Sequence, residues 1–285
     1  MTAPHTPKVV HTRADLTAAL EQLPGKRALV MTMGALHAGH LELVRQARKH
    51  GDHVVVTIFV NPTQFAPGED FDAYPRTLDA DVHALSTVGA DLVYAPAVEE
   101  VYPHGEARVR IDPGPTAKVL EGATRPTHFA GVCLVVNKVF NLVRPQVALF
   151  GRKDAQQLAI IRQMVRDLDM PIQIVGVDIV RAEDGLALSS RNAYLSASER
   201  SHALVLSRAL RHGAQLAPEG ADAAQVVDAV RQMIVSEPGV ELDYVALVDP
   251  VDFTPVTQGP ADAVLAVAAK VGTTRLIDNT EVHIR

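Results

Sequence analysis

Two histidines in a glycine-containing segment have the spacing that points most directly to chemistry. Residues 31–40 read M-T-M-G-A-L-H-A-G-H, which places His37 and His40 three positions apart. At the start of a helix this spacing puts both imidazoles on one face, where the helix dipole and the terminal amides already favour anions. Gly34 and Gly39 are expected to let the backbone turn tightly and approach a ligand. The segment therefore predicts a site for a nucleotide phosphate and for the charge that develops when its α-phosphorus is attacked.

Other interpretations of this segment compete with phosphate binding. The two histidines could simply cap a helix, and the H-x-G-H pattern alone does not decide between the two. A zinc site is less favoured, because histidines three apart without a nearby third ligand are a weak metal signal. The chain has neither a Walker A sequence nor a G-x-G-x-x-G motif, so the P-loop and dinucleotide-binding classes lose support.

Residues 151–154 (G-R-K-D) form a second polar segment after a predicted strand. They offer a backbone turn, a cation in Lys153 that suits a phosphate, and a carboxylate in Asp154 that could hold ribose hydroxyls. Gln156 and Gln157 follow on the next turn. The alternative is a charged helix start with Asp154 near the N-cap.

Two further polar segments complete the candidate site. Residues 188–192 (L-S-S-R-N) offer two hydroxyls and a guanidinium, the groups of a triphosphate clamp, although such a segment is more often a loop with an ST-turn. Residues 61–65 (N-P-T-Q-F) follow another predicted strand, which Pro62 prevents from continuing. The amides of Asn61 and Gln64 would then face a substrate at the sheet edge, and a plain polar turn is the alternative.

Alternating strand and helix patterns position these segments in the first two thirds of the chain. Such alternation predicts an α/β fold, a parallel sheet with helices on both faces, in which ligands bind beyond the carboxyl ends of the strands. The predicted strands are 27–32, 53–60, 91–95, 147–150 and 172–177, and the predicted helices are 39–49, 79–88, 130–142 and 155–168.

The composition changes after about residue 180. Two alanine-rich helical stretches and three short apolar runs predict a smaller α+β domain. Its helices are expected at 196–216 and 221–236, and its strands at 244–248, 263–268 and 274–277. The predicted domains are therefore residues 1–179 and residues 180–285.

Bulk properties limit the classes of function. The 285 residues, 47% of them apolar, suffice for a full core and for two domains. No apolar run approaches the roughly 18–20 residues of a membrane span, and the N-terminus does not resemble a signal peptide. A single cysteine, Cys133, excludes an internal disulfide and fits a reducing cytoplasm. A net charge of −6 without a long basic run argues against a nucleic-acid partner.

Six ordered motifs resemble the pantoate–β-alanine ligases, a family of H-x-G-H nucleotidyltransferases with a Rossmann-like fold. The resemblance runs from about residue 30 to residue 192 and resumes more weakly at residues 272–279 (G-T-T-R-L-I-D-N). The motifs are M-T-M-G-A-L-H-A-G-H, F-V-N-P-T-Q-F, D-A-Y-P-R-T, R-P-T-H-F-A-G-V, G-R-K-D-A-Q-Q-L and D-G-L-A-L-S-S-R-N.

The resemblance implies ATP-dependent condensation of (R)-pantoate with β-alanine to pantothenate. It also implies a pantoyl-adenylate intermediate, release of AMP and pyrophosphate, and Mg²⁺ on the triphosphate. A cytoplasmic homodimer and a C-terminal domain that closes over the site are further expectations from the resemblance. No protein ligand of the metal can be read from the sequence.

The resemblance also assigns roles to individual residues. The implied catalytic residues are His40, His37 and Lys153. The implied ATP-binding residues are Met33, Gly34, Ala35, Leu36, His37, Ala38, Gly39, His40, Gly151, Arg152, Lys153, Asp154, Val180, Leu188, Ser189, Ser190 and Arg191. The implied substrate-binding residues are Gln64 and Gln157, which would hold pantoate, with Asn61, Tyr74 and His128 in supporting roles.

The chain departs from the family pattern at two positions. Arg152 stands where the family usually has Glu, and Ala155 stands where it usually has an aromatic residue. We expect the chemistry to survive, while nucleotide affinity or a local salt bridge could differ. Two rival functions remain open: transfer of a nucleotide to a phosphate by another enzyme of the superfamily, and a non-catalytic nucleotide sensor.

Overall fold

The computed structural model describes residues 6–65 and 71–285, and these residues form two compact units. The first unit contains the described residues up to Gly151 together with residues 160–177. The second unit contains residues 152–159 together with residues 178–285. The short segment 152–159, which includes the predicted phosphate-binding turn, therefore groups with the C-terminal part of the chain.

A six-stranded sheet forms the centre of the first unit, and all of its strand pairs are parallel. Its strands are β1 (Lys8–Val10), β2 (Arg27–Thr32), β3 (His53–Ile58), β4 (Leu92–Tyr94), β5 (Val147–Gly151) and β6 (Gln173–Val177). Their spatial order is β1-β4-β3-β2-β5-β6. Strands β3 and β4 follow β2 along the chain and extend the sheet on one side of β2, whereas β5 and β6 extend it on the other side. The carboxyl ends of β2 and β5 flank this reversal of strand order, where ligands of open α/β sheets bind.

Helices cover this sheet because its strands are apolar on both faces. Val30 and Val54 on one face pack with Val44 and Leu85 from two of the helices. Leu29, which faces the other way because side chains alternate along a strand, is also fully buried. The helices that begin before residue 160 are α1 (Arg13–Glu21), α2 (Ala38–Ala47), α3 (Leu78–Ser86), α4 (Val98–Val101), α5 (Glu121–Thr124), α6 (His128–Val143) and α7 (Ala155–Asp167). The α/β prediction is confirmed.

The second unit contains two helices that pack on an antiparallel sheet, whose strand order is β7-β8-β9. Its elements are α8 (Ala197–Leu216), α9 (Ala223–Val235), β7 (Val240–Val248), β8 (Ala261–Val271) and β9 (Thr274–Ile284). Both helices begin with a capping box, Ser196 with Glu199 and Asp222 with Gln225, which satisfies amides that the first helical turn leaves unpaired. Leu210 and Leu265 lie in the common apolar core.

The predicted elements are confirmed in type, but several bounds were wrong. The strand predicted at 27–32 has the predicted bounds, whereas β9 runs for 11 residues where four were predicted. Asp278 and Glu281 interrupt the apolar run within β9, although the strand stays paired with β8 along its length. The exposed Glu281 lies on the face away from the core, and the buried Asp278 is paired with Arg181. No helix in the described ranges combines the length and the apolar character needed to cross a membrane.

Candidate active site

The histidine-bearing loop, residues 33–37, leaves β2 and enters α2. Its backbone turns at Gly34, with φ 90°, and at Ala35, with φ 51°. A glycine suits the first of these positions because side chains disfavour positive φ. The expectation that Gly39 also provides the turn is wrong, because this residue lies within the first turn of α2. The left-handed conformation of Ala35 was not predicted.

The rings of His37 and His40 lie together, with centroids 4.0 Å apart. The Nδ1 atom of His37 accepts a hydrogen bond from the amide of Gly39 at 3.1 Å, and the Nδ1 atom of His40 accepts one from the amide of His37 at 3.3 Å. Since a backbone N–H can only donate, each Nδ1 is an acceptor and the proton of each neutral ring is on Nε2. Helix capping by these two rings therefore uses Nδ1 and not Nε2.

Asp81 on α3 holds this loop, a role that local sequence patterns did not reveal. Its carboxylate accepts hydrogen bonds from the amides of Ala35 at 3.1 Å and Leu36 at 2.8 Å, and from the hydroxyl of Thr77 at 3.2 Å. The residue is only 3% exposed. Charge-assisted bonds of this kind are stronger than neutral ones, so they fix the strained backbone just before the two histidines.

Asn61 is buried beneath the turn that carries Gln64. Its Nδ2 atom donates to Gln64 Oε1 at 3.0 Å and to the carbonyl of Gly131 at 3.2 Å. Its Oδ1 atom accepts from the hydroxyls of Tyr102 at 2.8 Å and Thr63 at 3.0 Å. Burial raises the pKa of Tyr102, which keeps its hydroxyl protonated as a donor. Asn61 is fully buried, so its side chain orients Gln64.

Helix α6 supports the same turn from its first residues. His128 donates from Nδ1 to the carbonyl of Gln64 at 2.9 Å. A Cβ added at Gly131 would lie 2.1 Å from the carbonyl oxygen of Thr63, so this close approach requires glycine. Tyr74 is buried, and its ring meets that of Phe65 edge to face with centroids 6.0 Å apart. Asn61, Tyr74 and His128 therefore all contact the turn that carries Gln64, while their predicted roles in substrate binding stay predictions.

The turn Arg152–Asp154 is a short 3-10 helix that follows β5 and leads into α7. The Arg152 guanidinium pairs with Glu281, and its Nε lies 3.2 Å from Asp178 Oδ1. Arg152, which stands where the family usually has Glu, thus has two acidic partners in this chain. The Lys153 side chain is 19% exposed, with Nζ 3.7 Å from Asp154 Oδ1. Gln157, which is predicted to bind pantoate, is half-buried on α7, three residues after Asp154.

The predicted ATP residues near position 190 form one folded segment. The amide of Leu188 donates to the carbonyl of Val180 at 3.0 Å, which brings these two positions together. Ser189 caps the 3-10 helix Ser190–Tyr194, and its hydroxyl accepts from the amide of Arg191 at 3.3 Å. The ST-turn considered as an alternative is therefore present, and it aligns the start of the segment that bears Arg191.

The cysteine and the possible metal ligands of the described residues were the remaining candidates for chemistry. Burial raises the pKa of Cys133 to about 12, so its thiol is protonated and inert at neutral pH. Across residues 6–65 and 71–285, no group of three or more His, Cys, Asp and Glu side chains could hold a metal ion.

Together, the parallel sheet, the reversal of strand order at β2 and the capped H-x-G-H loop define an α/β protein with a candidate anion-binding site at the carboxyl edge of its sheet. The sequence comparisons narrow this class. Residues 8–281 match the family model described as pantoate-beta-alanine ligase. The chain belongs to the pantoate–β-alanine ligase family, whose activity is the ligation of pantoate with β-alanine.

Individual relatives of the family align with nearly the whole length of this chain. It is 54% identical to a pantothenate synthetase of Salinispora arenicola, over 97% of this chain and 98% of the relative. A solved pantothenate synthetase from Thermus thermophilus superimposes with a TM-score of 0.92 at 48% identity, over 97% of this chain and 99% of that one. A pantoate-beta-alanine ligase from Francisella tularensis, solved in complex with beta-gamma ATP and beta-alanine, has a TM-score of 0.80 at 30% identity, over 96% and 97%.

Proposed function

We propose that this ligase activates (R)-pantoate with ATP before the amine reacts. A carboxylate oxygen of pantoate attacks the α-phosphorus of ATP, which forms pantoyl adenylate and expels pyrophosphate. The amine of β-alanine then attacks the acyl carbon, loses a proton and expels AMP, which leaves pantothenate. The paired histidines carry this proposal, because both imidazoles lie at the start of α2 with ring centroids 4.0 Å apart, where a helix favours an anion. The Francisella relative, solved with an ATP-type ligand and β-alanine, supports the same substrates.

The histidine loop is proposed to stabilise the first transition state. His40 and His37 donate to the phosphate oxygens on which charge develops, and preorganised donors of this kind usually supply a large share of the rate enhancement. The loop residues 33–36 and the first turn of α2, Ala38 and Gly39, line the phosphates. Because Asp81 holds the amides of Ala35 and Leu36, the donors need no reorganisation during the reaction.

Two glutamines are proposed to bind pantoate. Gln64 is oriented through Asn61, whose Nδ2 occupies one lone pair of Gln64 Oε1. This bond aims the Gln64 amide, so Asn61, Tyr74 and His128 act as positioning residues for the turn. Gln157 is the second proposed pantoate ligand, on the evidence of its motif, G-R-K-D-A-Q-Q-L.

Residues 151–154, 180 and 188–191 are proposed to supply further ATP-binding groups. Lys153 binds the α-phosphate, Asp154 holds ribose hydroxyls and Arg191 binds the remaining phosphates. Backbone groups or hydroxyls of six further residues line the nucleotide: Gly151, Arg152, Val180, Leu188, Ser189 and Ser190. The bond between Leu188 and Val180 supports this assignment, because it places two of the proposed positions side by side.

Three features of the proposal rest on the family resemblance. Mg²⁺ is expected to accompany the triphosphate, since this ion binds substrate phosphates and keeps several waters. A homodimer and a cytoplasmic location are proposed on the same basis.

Isotope exchange tests the order of events. If pantoate is activated first, labelled pyrophosphate should exchange into ATP when pantoate and Mg²⁺ are present and β-alanine is absent. Pantoate with ¹⁸O in its carboxylate should also deliver one labelled oxygen to AMP in the complete reaction, because that oxygen forms the bond to phosphorus.

The control omits pantoate, and no exchange is expected there. Exchange that requires β-alanine would overturn the acid-first order, and AMP without the label would exclude the adenylate. Exchange supported by a phosphate-bearing acceptor in place of pantoate would favour nucleotide transfer.

A further inference from the structure

Asn279 on β9 is bonded to the turn that carries Lys153. Its Nδ2 atom donates to the carbonyl oxygens of two consecutive residues, Arg152 at 3.0 Å and Lys153 at 2.8 Å. The side chain is only 6% exposed. Asn279 is the last residue of the G-T-T-R-L-I-D-N segment, which resembles the family but to which no role has been assigned.

The neighbouring residues hold Asn279 itself in place. Asp278, which is buried, accepts hydrogen bonds from Arg181 at 2.6 and 3.0 Å and from the backbone amide of Asn279 at 2.8 Å. The sheet pairs Asn279 with Ala266 on β8. Two residues further along β9, and therefore on the same face, Glu281 pairs with the side chain of Arg152. Two adjacent positions on one face of β9 thus contact one three-residue turn.

The chemistry of this contact requires an amide. Both partners of the Asn279 side chain are carbonyl oxygens, which accept and cannot donate, so the NH₂ group must face them. A carboxylate at the same position has the same shape but would set a negative charge against two carbonyl dipoles. The contact therefore distinguishes asparagine from aspartate at nearly constant volume.

We propose that Asn279 is a positioning residue for Lys153: it fixes the backbone of the 152–154 turn so that the Lys153 ammonium meets the α-phosphate. The inference rests on the proposed role of Lys153 in adenylation. Asn279 contacts the backbone of the turn and is not assigned to any substrate. It explains why a segment 126 positions after Lys153 shares the family pattern.

A double-mutant cycle tests the proposal in the full-length enzyme. Asn279→Asp should lower the kcat of pantoate-dependent pyrophosphate exchange by roughly 10- to 100-fold, the effect of displacing a reacting group by about an ångström, with the KM for pantoate unchanged. Asn279→Ser, which keeps one donor, should lose less. In a Lys153→Ala background the same substitutions should change the rate less than about threefold, since a positioning residue acts through its target.

Controls separate positioning from folding and from the proposed function. His283→Ala, on the exposed part of β9, should exchange at the wild-type rate. Circular dichroism and urea unfolding check each variant, and if Asn279→Asp does not fold, the cycle is measured with Asn279→Ser. Equal losses in the wild-type and Lys153→Ala backgrounds would overturn the proposal. If Lys153→Ala alone exchanges normally, the proposed role of Lys153 fails instead, whatever the effect at Asn279.

Discussion

Each imidazole of the histidine loop performs two tasks with its two nitrogens. In His40, Nδ1 accepts the amide of His37, and Nε2 is the proposed donor to the phosphate. Stability and catalysis can therefore be separated by substitution, because asparagine places an oxygen near the position of Nδ1 and offers nothing at the position of Nε2.

His40→Asn and His40→Ala are both expected to slow pyrophosphate exchange by roughly 10²–10³, or about 3 kcal/mol, the typical loss for one preorganised donor. The alanine variant should also lose about 0.5–2 kcal/mol of unfolding free energy, because the capping acceptor is gone. Exchange kinetics and urea unfolding measure the two effects. A folded His40→Asn variant with normal exchange would show that His40 only caps the helix.

Helices α2 and α3 cooperate in building the loop, since α3 supplies the carboxylate that receives the loop amides. The bonds from Ala35 and Leu36 span 46 and 45 positions of sequence. They are made where the backbone is left-handed at Ala35, a conformation that costs energy for a residue with a side chain. The buried carboxylate offsets this strain.

Asp81→Asn is expected to destabilise the protein by about 1–3 kcal/mol, because its NH₂ group would face one of the amide donors and leave it unsatisfied. Exchange should slow as well, since the histidines follow directly. Urea unfolding and exchange kinetics measure both effects. Asp79→Asn on the exposed side of α3 is the matched control and should lie within about 0.5 kcal/mol of wild type. Unchanged stability in Asp81→Asn would contradict the loop-holding role.

Residues from separate motifs along the chain are proposed to bind ATP, among them His40, Lys153 and Arg191. A ligand that binds only the folded state stabilises it, by about 2.7 kcal/mol at 100 times its Kd. The stabilisation by ATP therefore reports the contribution of each proposed group.

ATP at a fixed concentration should raise the free energy of unfolding less in Arg191→Ala than in wild type, because a phosphate ligand has been removed. Urea unfolding with and without Mg·ATP measures the difference. Arg110→Ala, at an exposed surface ion pair, is the control and should retain the full increase. An undiminished increase in Arg191→Ala would leave the 188–192 segment as a loop with an ST-turn.

Local patterns in the sequence determined the α/β class, the strand at 27–32 and the histidine pair. Each of these depends on neighbouring residues: alternation and apolar runs for strands, and three-residue spacing for the shared face of His37 and His40. The ordered motifs determined the family, which the comparisons confirmed.

Only the tertiary structure revealed the residues that support these motifs. Asp81, Tyr102 and Asn279 lie far along the chain from the loops they hold, and their bonds have no local spacing that a sequence pattern could detect. The grouping of residues 152–159 with the C-terminal part was likewise hidden, because Asn279 and Glu281 reach this turn across more than 120 positions. Local periodicity specifies an element and the face it buries, whereas a hydrogen bond between distant segments exists only once the chain has folded.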